Sequence, residues 1–117
     1  MAKNDYFVIA YKILKYLYEC LQQGKPPCVE EFCHNSQLFG IEIPESYWQE
    51  IITELHDKRY IKGVMPVRSI GVSGIKFSPD LAITMTGVEF LTENDKMKKV
   101  QGYVGKGFET LLKLIIG

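Results

Sequence analysis

The chain has 117 residues, of which 46% are hydrophobic and 24% charged, with 14 basic and 14 acidic side chains. This length and composition predict a single domain over residues 1–117 and exclude a disordered chain. The apolar runs fall short of the roughly 18–20 residues of a membrane-spanning helix, and the start lacks a signal-peptide pattern. We therefore expect a cytoplasmic protein without membrane association.

Charge is distributed unevenly along the chain. Residues 1–25 have a net charge of +2, from four lysines and two acids, whereas residues 26–57 have −7, from seven acids and no lysine or arginine. Residues 58–117 have +5, from ten basic and five acidic groups. Five cations stand in residues 58–79 without an acid among them: Lys58, Arg59, Lys62, Arg68 and Lys76. This asymmetry is the strongest functional signal in the sequence.

Two helices are predicted in the first 36 residues. Apolar side chains at helical spacing indicate a first helix from about residue 5 to residue 23, and Gly24 ends it. A short second helix is expected at about 29–36, with Phe32 and Val29 as its anchors in the core. An extended connector or short strand follows.

The third helix has the clearest pattern. Ser46 and Gln49 have the spacing of a capping box, in which each side chain bonds a backbone amide near the start of the helix. At 100° per residue, one arc is apolar: Trp48, Ile51, Ile52 and Leu55. The opposite arc is polar and acidic: Glu45, Ser46, Gln49, Glu50, Thr53, Glu54, His56 and Asp57.

A wing at about 60–85 follows the third helix. Residues 60–67 favour a strand that Pro66 restricts to an edge or ends. Gly71, Gly74 and Pro79 predict a flexible loop, and 81–84 favours the returning strand. A second capping-box pattern, Thr86 with Glu89, then predicts the start of another helix.

The C-terminal extension, about 96–116, is predicted to be helical with a kink or a break. Gly102, Gly105 and Gly107 each cost roughly 1 kcal/mol in a helix interior. Its apolar strip needs either the first helix or a second copy of the chain to cover it, so a homodimer through this helix is one expectation. The strip consists of Phe108, Leu111, Leu112, Ile115 and Ile116.

This order of elements predicts an α+β fold of the winged-helix class, with three N-terminal helices, a small antiparallel sheet and a C-terminal helical extension. The chain also resembles the YjcQ-like family, small winged-helix proteins of Gram-positive bacteria and their phages or prophages. The resemblance implies the same fold and no functional residues. It is carried by Asp5-Tyr6-Phe7-Val8-Ile9, Leu17-Tyr18, Glu45-Ser46-Tyr47-Trp48, Tyr60-Ile61-Lys62-Gly63, Ile83-Thr84, Gly87-Val88-Glu89-Phe90-Leu91, Glu93-Asn94 and Met97.

Double-stranded DNA is the leading expected partner. A helix-turn-helix protein normally places its recognition helix in the major groove, but the acidic arc of the third helix would repel phosphates. The wing cations are the alternative contact, because lysine and arginine bind the DNA backbone without reading sequence. We therefore predict a prophage-type regulatory protein that holds DNA through Lys58, Arg59, Lys62, Arg68 and Lys76.

A protein-interaction adaptor that binds no DNA is the main alternative. Its contact surface would be the acidic side of the third helix, and its partner a basic protein. The residues of that surface would be Glu45, Glu50, Glu54 and Asp57.

Catalytic and metal sites are not predicted. The two histidines, His34 and His56, have no nucleophile-and-base pattern around them, so we expect no enzyme and no cofactor. The spacing of Cys28 and Cys33 is at the upper limit for a pair of zinc ligands, and the sequence offers no second pair of ligands elsewhere. Together with Cys20 they are expected to be reduced thiols.

Overall fold

The computed structural model describes residues 3–39, 42–69 and 72–116. Within these ranges the chain has an α+β fold of four α-helices and one two-stranded antiparallel sheet. In chain order the elements are α1 (Lys3–Gln23), a 3₁₀ turn (Gln37–Phe39), α2 (Glu45–Asp57), β1 (Ile61–Ser69), β2 (Val72–Ile83), α3 (Met85–Glu93) and α4 (Asp95–Ile116).

Helices α1 and α4 pack against each other and form the centre of the core. The Tyr11 ring lies 6.4 Å from the Phe108 ring, and Lys15 Nζ lies 3.5 Å from a Glu109 carboxylate oxygen. Leu112, one turn beyond Phe108, is also buried. The apolar strip of the C-terminal extension is therefore covered largely by α1 of the same chain.

The predicted break in the C-terminal extension is wrong, because α4 runs as one helix through all three of its glycines. Most helical stability in proteins comes from packing an apolar face and not from propensity. Here Met97, Val100, Phe108 and Leu112 are buried along α4, and their burial offsets the cost of the glycines.

The second predicted helix, 29–36, is also wrong. That segment forms turns, with Glu31 N–H donating to the Cys28 carbonyl and Phe32 N–H to the Val29 carbonyl, three residues back in each case. Val29 is 53% exposed, whereas Phe32 is buried as predicted. These hydrogen bonds span three residues, whereas those of an α-helix span four. Tertiary contacts of Phe32 hold the segment in place.

Phe32 connects this segment to the rest of the core. Its ring centroid lies 6.1 Å from that of Tyr16, 5.2 Å from that of Trp48 and 5.0 Å from that of Phe77. The Tyr16 hydroxyl also accepts a hydrogen bond from Cys28 N–H at 2.8 Å. Side chains from α1, α2 and β2 therefore determine where the irregular segment lies.

Both predicted capping boxes are wrong in position. Ser46 lies inside α2, which follows Pro44 without a side-chain cap, and the Gln49 amide instead donates to the Glu45 carboxylate at 3.4 Å. The cap of α3 is Thr84, whose hydroxyl accepts from Gly87 N–H at 3.0 Å. The four predicted apolar positions of α2 are all buried, as expected.

The sheet is longer than the sequence predicts. Gly74 and Pro79 lie within β2 and not in a loop, while Gly71 is outside the described residues. Pro66 lies within β1, opposite Ile75. Each strand of a two-stranded sheet has an open edge, so a residue without an N–H is tolerated in this position.

Candidate functional site

The basic segment, residues 58–76, carries the five predicted wing cations. It begins immediately after α2, in a backbone conformation that arginine rarely takes. Arg59 N–H donates to the His56 carbonyl at 2.9 Å, and Tyr60 N–H donates to the Leu55 carbonyl at 2.9 Å. These two bonds form a Schellman cap, in which the residue after the helix is left-handed and is usually glycine. At the end of α1 that residue is Gly24, with φ of +68°. Arg59 takes the equivalent position at the end of α2, with φ of +64°.

Hydrogen bonds from Thr84 hold this turn against the start of α3. Its hydroxyl donates to the Arg59 carbonyl at 2.5 Å, and its N–H donates to the Tyr60 carbonyl at 3.0 Å. The side chains of Lys58 and Arg59 are exposed. The backbone that carries these two cations is therefore fixed, while their charges remain in solvent.

A bulge at the base of the hairpin determines which β1 side chains face solvent. Lys62 pairs with Ala82 but Val64 pairs with Phe77, so that four residues of β2 lie opposite Gly63 alone. Gly63 has φ of +85°, and a β-carbon there would collide with the β2 backbone. This irregularity interrupts the alternation of β1, which leaves Lys62 exposed and Val64 buried.

Lys76 of β2 is exposed, as Lys62 is. It lies opposite Met65, which is 48% exposed. Arg68 lies in β1 opposite Ser73, and its side chain is outside the described part of the structure. Four of the five predicted wing cations are thus exposed along one continuous stretch of chain.

Those four cations have no ion pair with any described residue. The ion pairs within the described ranges involve Lys15 with Glu19 and Glu109, and His56 with Asp57. Asp80 is the one acidic residue in the sequence of the hairpin, residues 61–83. Its pKa is lowered mainly by a hydrogen bond from the Ser78 hydroxyl and to a smaller extent by the charge of Lys62.

The acidic face of α2 consists of Glu45, Glu50, Glu54 and Asp57. Three of these are exposed and Glu54 is half-buried. Burial raises the pKa of Tyr6, and the charges of Glu54 and Glu50 raise it further. The acidic face is therefore close enough to α1 to act on a side chain of that helix.

A groove of about 450 Å³ borders both charged surfaces. Phe32, Trp48 and Phe77 contribute its aromatic lining, while Glu45 comes from the acidic face and Lys76 from the basic segment. These two charges are 31 residues apart in the sequence, and no local pattern indicates that they meet at one groove.

The cysteines and histidines of the described part of the chain form no metal-ligand cluster. Cys20 is buried, and burial raises the pKa of its thiol. His34 Nδ1 lies 2.9 Å from the Ile43 carbonyl oxygen, a contact that holds the loop before α2. No cluster of three or more potential metal ligands occurs among the described residues.

None of the helices within the described ranges has both the length and the apolar character needed to span a bilayer.

Two features of the candidate site have weak signals or none in the sequence. The left-handed Arg59 follows a predicted helix end, but nothing in the local pattern predicts that arginine replaces the usual glycine. The bulge at Gly63 is signalled only by a glycine within a strand pattern.

Comparison with known proteins places the chain in one family. No curated protein and no solved structure matches it. A family model described as YjcQ protein matches residues 11–105, which include most of α1, all of α2, the hairpin and α3, and the first half of α4. The chain therefore belongs to the YjcQ protein family.

Proposed function

We propose that this chain is a winged-helix protein that binds the backbone of double-stranded DNA through its basic segment, Lys58, Arg59, Lys62 and Lys76, with Arg68 as a further contact. The observation that carries the proposal is the left-handed conformation of Arg59. A non-glycine residue in this conformation costs roughly 1–2 kcal/mol. Strain of this kind concentrates at functional sites, where the side chain is needed.

The order of elements supports the winged-helix assignment. A helix, α2, leads directly into the two-stranded hairpin, as a recognition helix leads into a wing. The segment that would form the preceding helix consists of turns and a 3₁₀ turn. A shortened helix-turn-helix of this kind favours contact through the hairpin over insertion of α2 into a groove.

Charge supports the same mode of contact. The exposed side of α2 is acidic, so it would be repelled by phosphates. The exposed cations start at the end of α2 and continue along the hairpin without ion pairs to described residues. Such cations release counterions from DNA and give affinity that falls steeply with salt.

Fluorescence anisotropy of a mixed-sequence duplex, measured over a series of salt concentrations, tests the proposal. We expect Lys62→Gln combined with Lys76→Gln to weaken binding and to reduce the slope of log affinity against log salt by roughly 2, because two phosphate contacts are lost. The matched control is Lys98→Gln with Lys106→Gln, which removes two exposed lysines from α4.

Two results would contradict DNA binding through the basic segment. The first is an absence of binding by the unmodified protein at low salt, where electrostatic attraction is greatest. The second is an equal effect of the hairpin and α4 variants, which would indicate attraction to net charge alone.

The second candidate function is capture of a basic protein by the acidic face. The observation that favours it is that Glu45 and Glu50 are exposed and form no ion pair within the described ranges. A fluorescent oligolysine peptide provides a direct probe. Glu45→Lys with Glu50→Lys should abolish its binding, whereas Glu89→Lys with Glu93→Lys, on α3, should leave most of it.

The same acidic-face variant separates the two functions. If the acidic face only repels phosphate, reversing its charge raises affinity for DNA and has no specific effect on the peptide. Loss of peptide binding without any gain in DNA affinity would favour the adaptor function.

A further inference from the structure

A cavity of about 260 Å³ lies where all four helices meet. It is lined from the start of α1, from the end of α2 and the residues after it, from the end of α3 and from the first turn of α4. Four aromatic rings and two lysines dominate its lining: Tyr6, Phe7, Tyr60, Phe90, Lys58 and Lys96. Of these residues Lys58 also belongs to the basic segment, but the cavity as a whole is part of neither candidate surface described above.

The aromatic rings form two contacting pairs beside the cavity. Tyr60 and Phe90 are stacked, with centroids 4.4 Å apart and an interplanar angle of 13°. Tyr6 and Phe7 meet edge to face at 5.5 Å and 80°. All four rings are half-buried, although the larger part of the apolar core is fully buried. They therefore provide accessible apolar surface against which a planar ring can stack.

The charged part of the lining is positive. No carboxylate among the described side chains lines the cavity, and neither Lys58 nor Lys96 forms an ion pair with a described residue. The Lys96 ammonium instead lies 4.4 Å from the centroid of the Phe7 ring. A cation over a ring is held less strongly than one hydrogen-bonded to an anion, so an entering carboxylate or phosphate would attract it.

Acidic side chains act on one side of this cavity. Glu54 and Glu50 act electrostatically on the Tyr6 hydroxyl, which lines it. An anionic group would therefore avoid the Tyr6 side and lie towards the lysines, with its ring against the aromatic pairs. The cavity is slightly smaller than the roughly 300–1,000 Å³ typical of drug-sized ligands, which limits the ligand to one or two fused rings with an acidic group.

We infer that this cavity binds a small planar aromatic anion, which stacks on the aromatic pairs and is neutralised by Lys58 and Lys96. Either a carboxylate or a phosphate can supply the negative charge. The inference does not depend on DNA binding, because it concerns a different ligand and can be measured without DNA.

Isothermal titration calorimetry with four probes tests this inference on the full chain. The probes are indole-3-carboxylate, adenosine monophosphate, the uncharged indole-3-carboxamide and inorganic phosphate. We expect one of the two aromatic anions to bind at least about tenfold more tightly than both the uncharged ring and the phosphate, because only it uses rings and lysines together. Tighter binding of indole-3-carboxylate would identify a carboxylate as the preferred acidic group, and tighter binding of adenosine monophosphate would identify a phosphate.

Two lysine variants locate the site. Lys96→Gln should weaken binding of the preferred anion at least about fivefold. Lys98→Gln changes a neighbouring exposed lysine that does not line the cavity, and it should leave the affinity unchanged. Because both lysines are exposed, both variants should fold, which far-ultraviolet circular dichroism checks.

Three results would overturn the inference. These are no saturable binding of either aromatic anion up to about 5 mM, an affinity of both aromatic anions no higher than that of the uncharged indole, and equal weakening by the two lysine variants. The last result would mean that the anion responds to the overall charge of α4 and not to this cavity.

Discussion

At Arg59 the backbone conformation and the side-chain charge make separable contributions. Arg59→Gly should raise the free energy of unfolding by about 1 kcal/mol, because glycine takes the left-handed cap position without steric cost. Arg59→Ala removes the same charge but retains a β-carbon, so its stability should stay near that of the unmodified protein. Urea denaturation measures both.

DNA binding should respond to these two substitutions differently from stability. Both variants lose one phosphate contact and should weaken DNA binding equally. If the glycine variant is no more stable than the alanine variant, the left-handed conformation carries no strain and the main support for the proposed function is lost.

Two buried tyrosines on α1 differ in whether their hydroxyl has a partner. The Tyr11 hydroxyl is buried without a hydrogen-bond partner among the described residues, whereas that of Tyr16 accepts from Cys28 N–H. Tyr11→Phe should therefore raise the free energy of unfolding by about 1 kcal/mol, and Tyr16→Phe should lower it by a similar amount. Chemical denaturation at neutral pH measures the free energy of unfolding of both variants. A lower value for Tyr11→Phe than for the unmodified protein would indicate that the Tyr11 hydroxyl has an unrecognised hydrogen-bond partner.

The same tyrosines predict a loss of stability in alkali. Burial raises the pKa of both Tyr11 and Tyr16 to about 12, against about 10 in an unfolded chain. Above about pH 10 the unfolded state therefore releases these protons more readily, and the free energy of unfolding falls as pH rises towards 12. Urea midpoints between pH 9 and 11.5 should fall less steeply for Tyr11→Phe; identical slopes would contradict the raised pKa of Tyr11.

At the scale of elements, the helical glycines have different structural roles. Gly87 lies in α3 against the Tyr60 carbonyl, with no room for a β-carbon, whereas Gly102 and Gly107 on α4 have open space around them. Gly87→Ala should lower the free energy of unfolding by about 2 kcal/mol. Gly102→Ala and Gly107→Ala should each raise it by about 0.5–1 kcal/mol.

Thermal denaturation of the three glycine variants provides the comparison. A destabilising effect at Gly102 or Gly107 would mean that the exposed side of α4 has a close contact absent from this structure. A neutral effect at Gly87 would mean that α3 can move away from the turn after α2.

Apolar periodicity predicted the elements better than the local signals predicted their ends. The α2 pattern of Trp48, Ile51, Ile52 and Leu55 was confirmed in full, because a buried face must repeat with the helical period. The cap of α3 was misplaced because Thr84 and Thr86 are equally suitable by residue type. Close packing of Gly87 against the turn after α2 selects the earlier start.

At the scale of the whole molecule, α4 is part of the core and not an appendage. Phe108 and Leu112 are buried against α1, while Leu114 on the same helix is 79% exposed. Phe108→Ala should lower the free energy of unfolding by about 3–5 kcal/mol, and Leu114→Ala should change it little. Equal effects in urea denaturation would contradict this packing. A homodimer through α4 stays a prediction; of the apolar strip on which it rests, Ile115 is 39% exposed.

The charge blocks, the long first helix and the buried face of α2 followed from the sequence, because each depends on residue type and on spacing within one segment. The sequence was also sufficient for the family resemblance. Local patterns were insufficient for the irregular 29–36 segment and for the unbroken α4, since contacts with distant residues outweigh local preference there.

The arrangement of the candidate sites depends entirely on tertiary folding. Lys58 and Lys96 line one cavity although 38 residues separate them, and Glu45 and Lys76 border one groove. No periodicity or composition carries such information, because it arises only when α1 packs on α4 and the hairpin returns to α3. The sequence by itself therefore identified the charges, while the packing of the helices determined which charges and rings lie together.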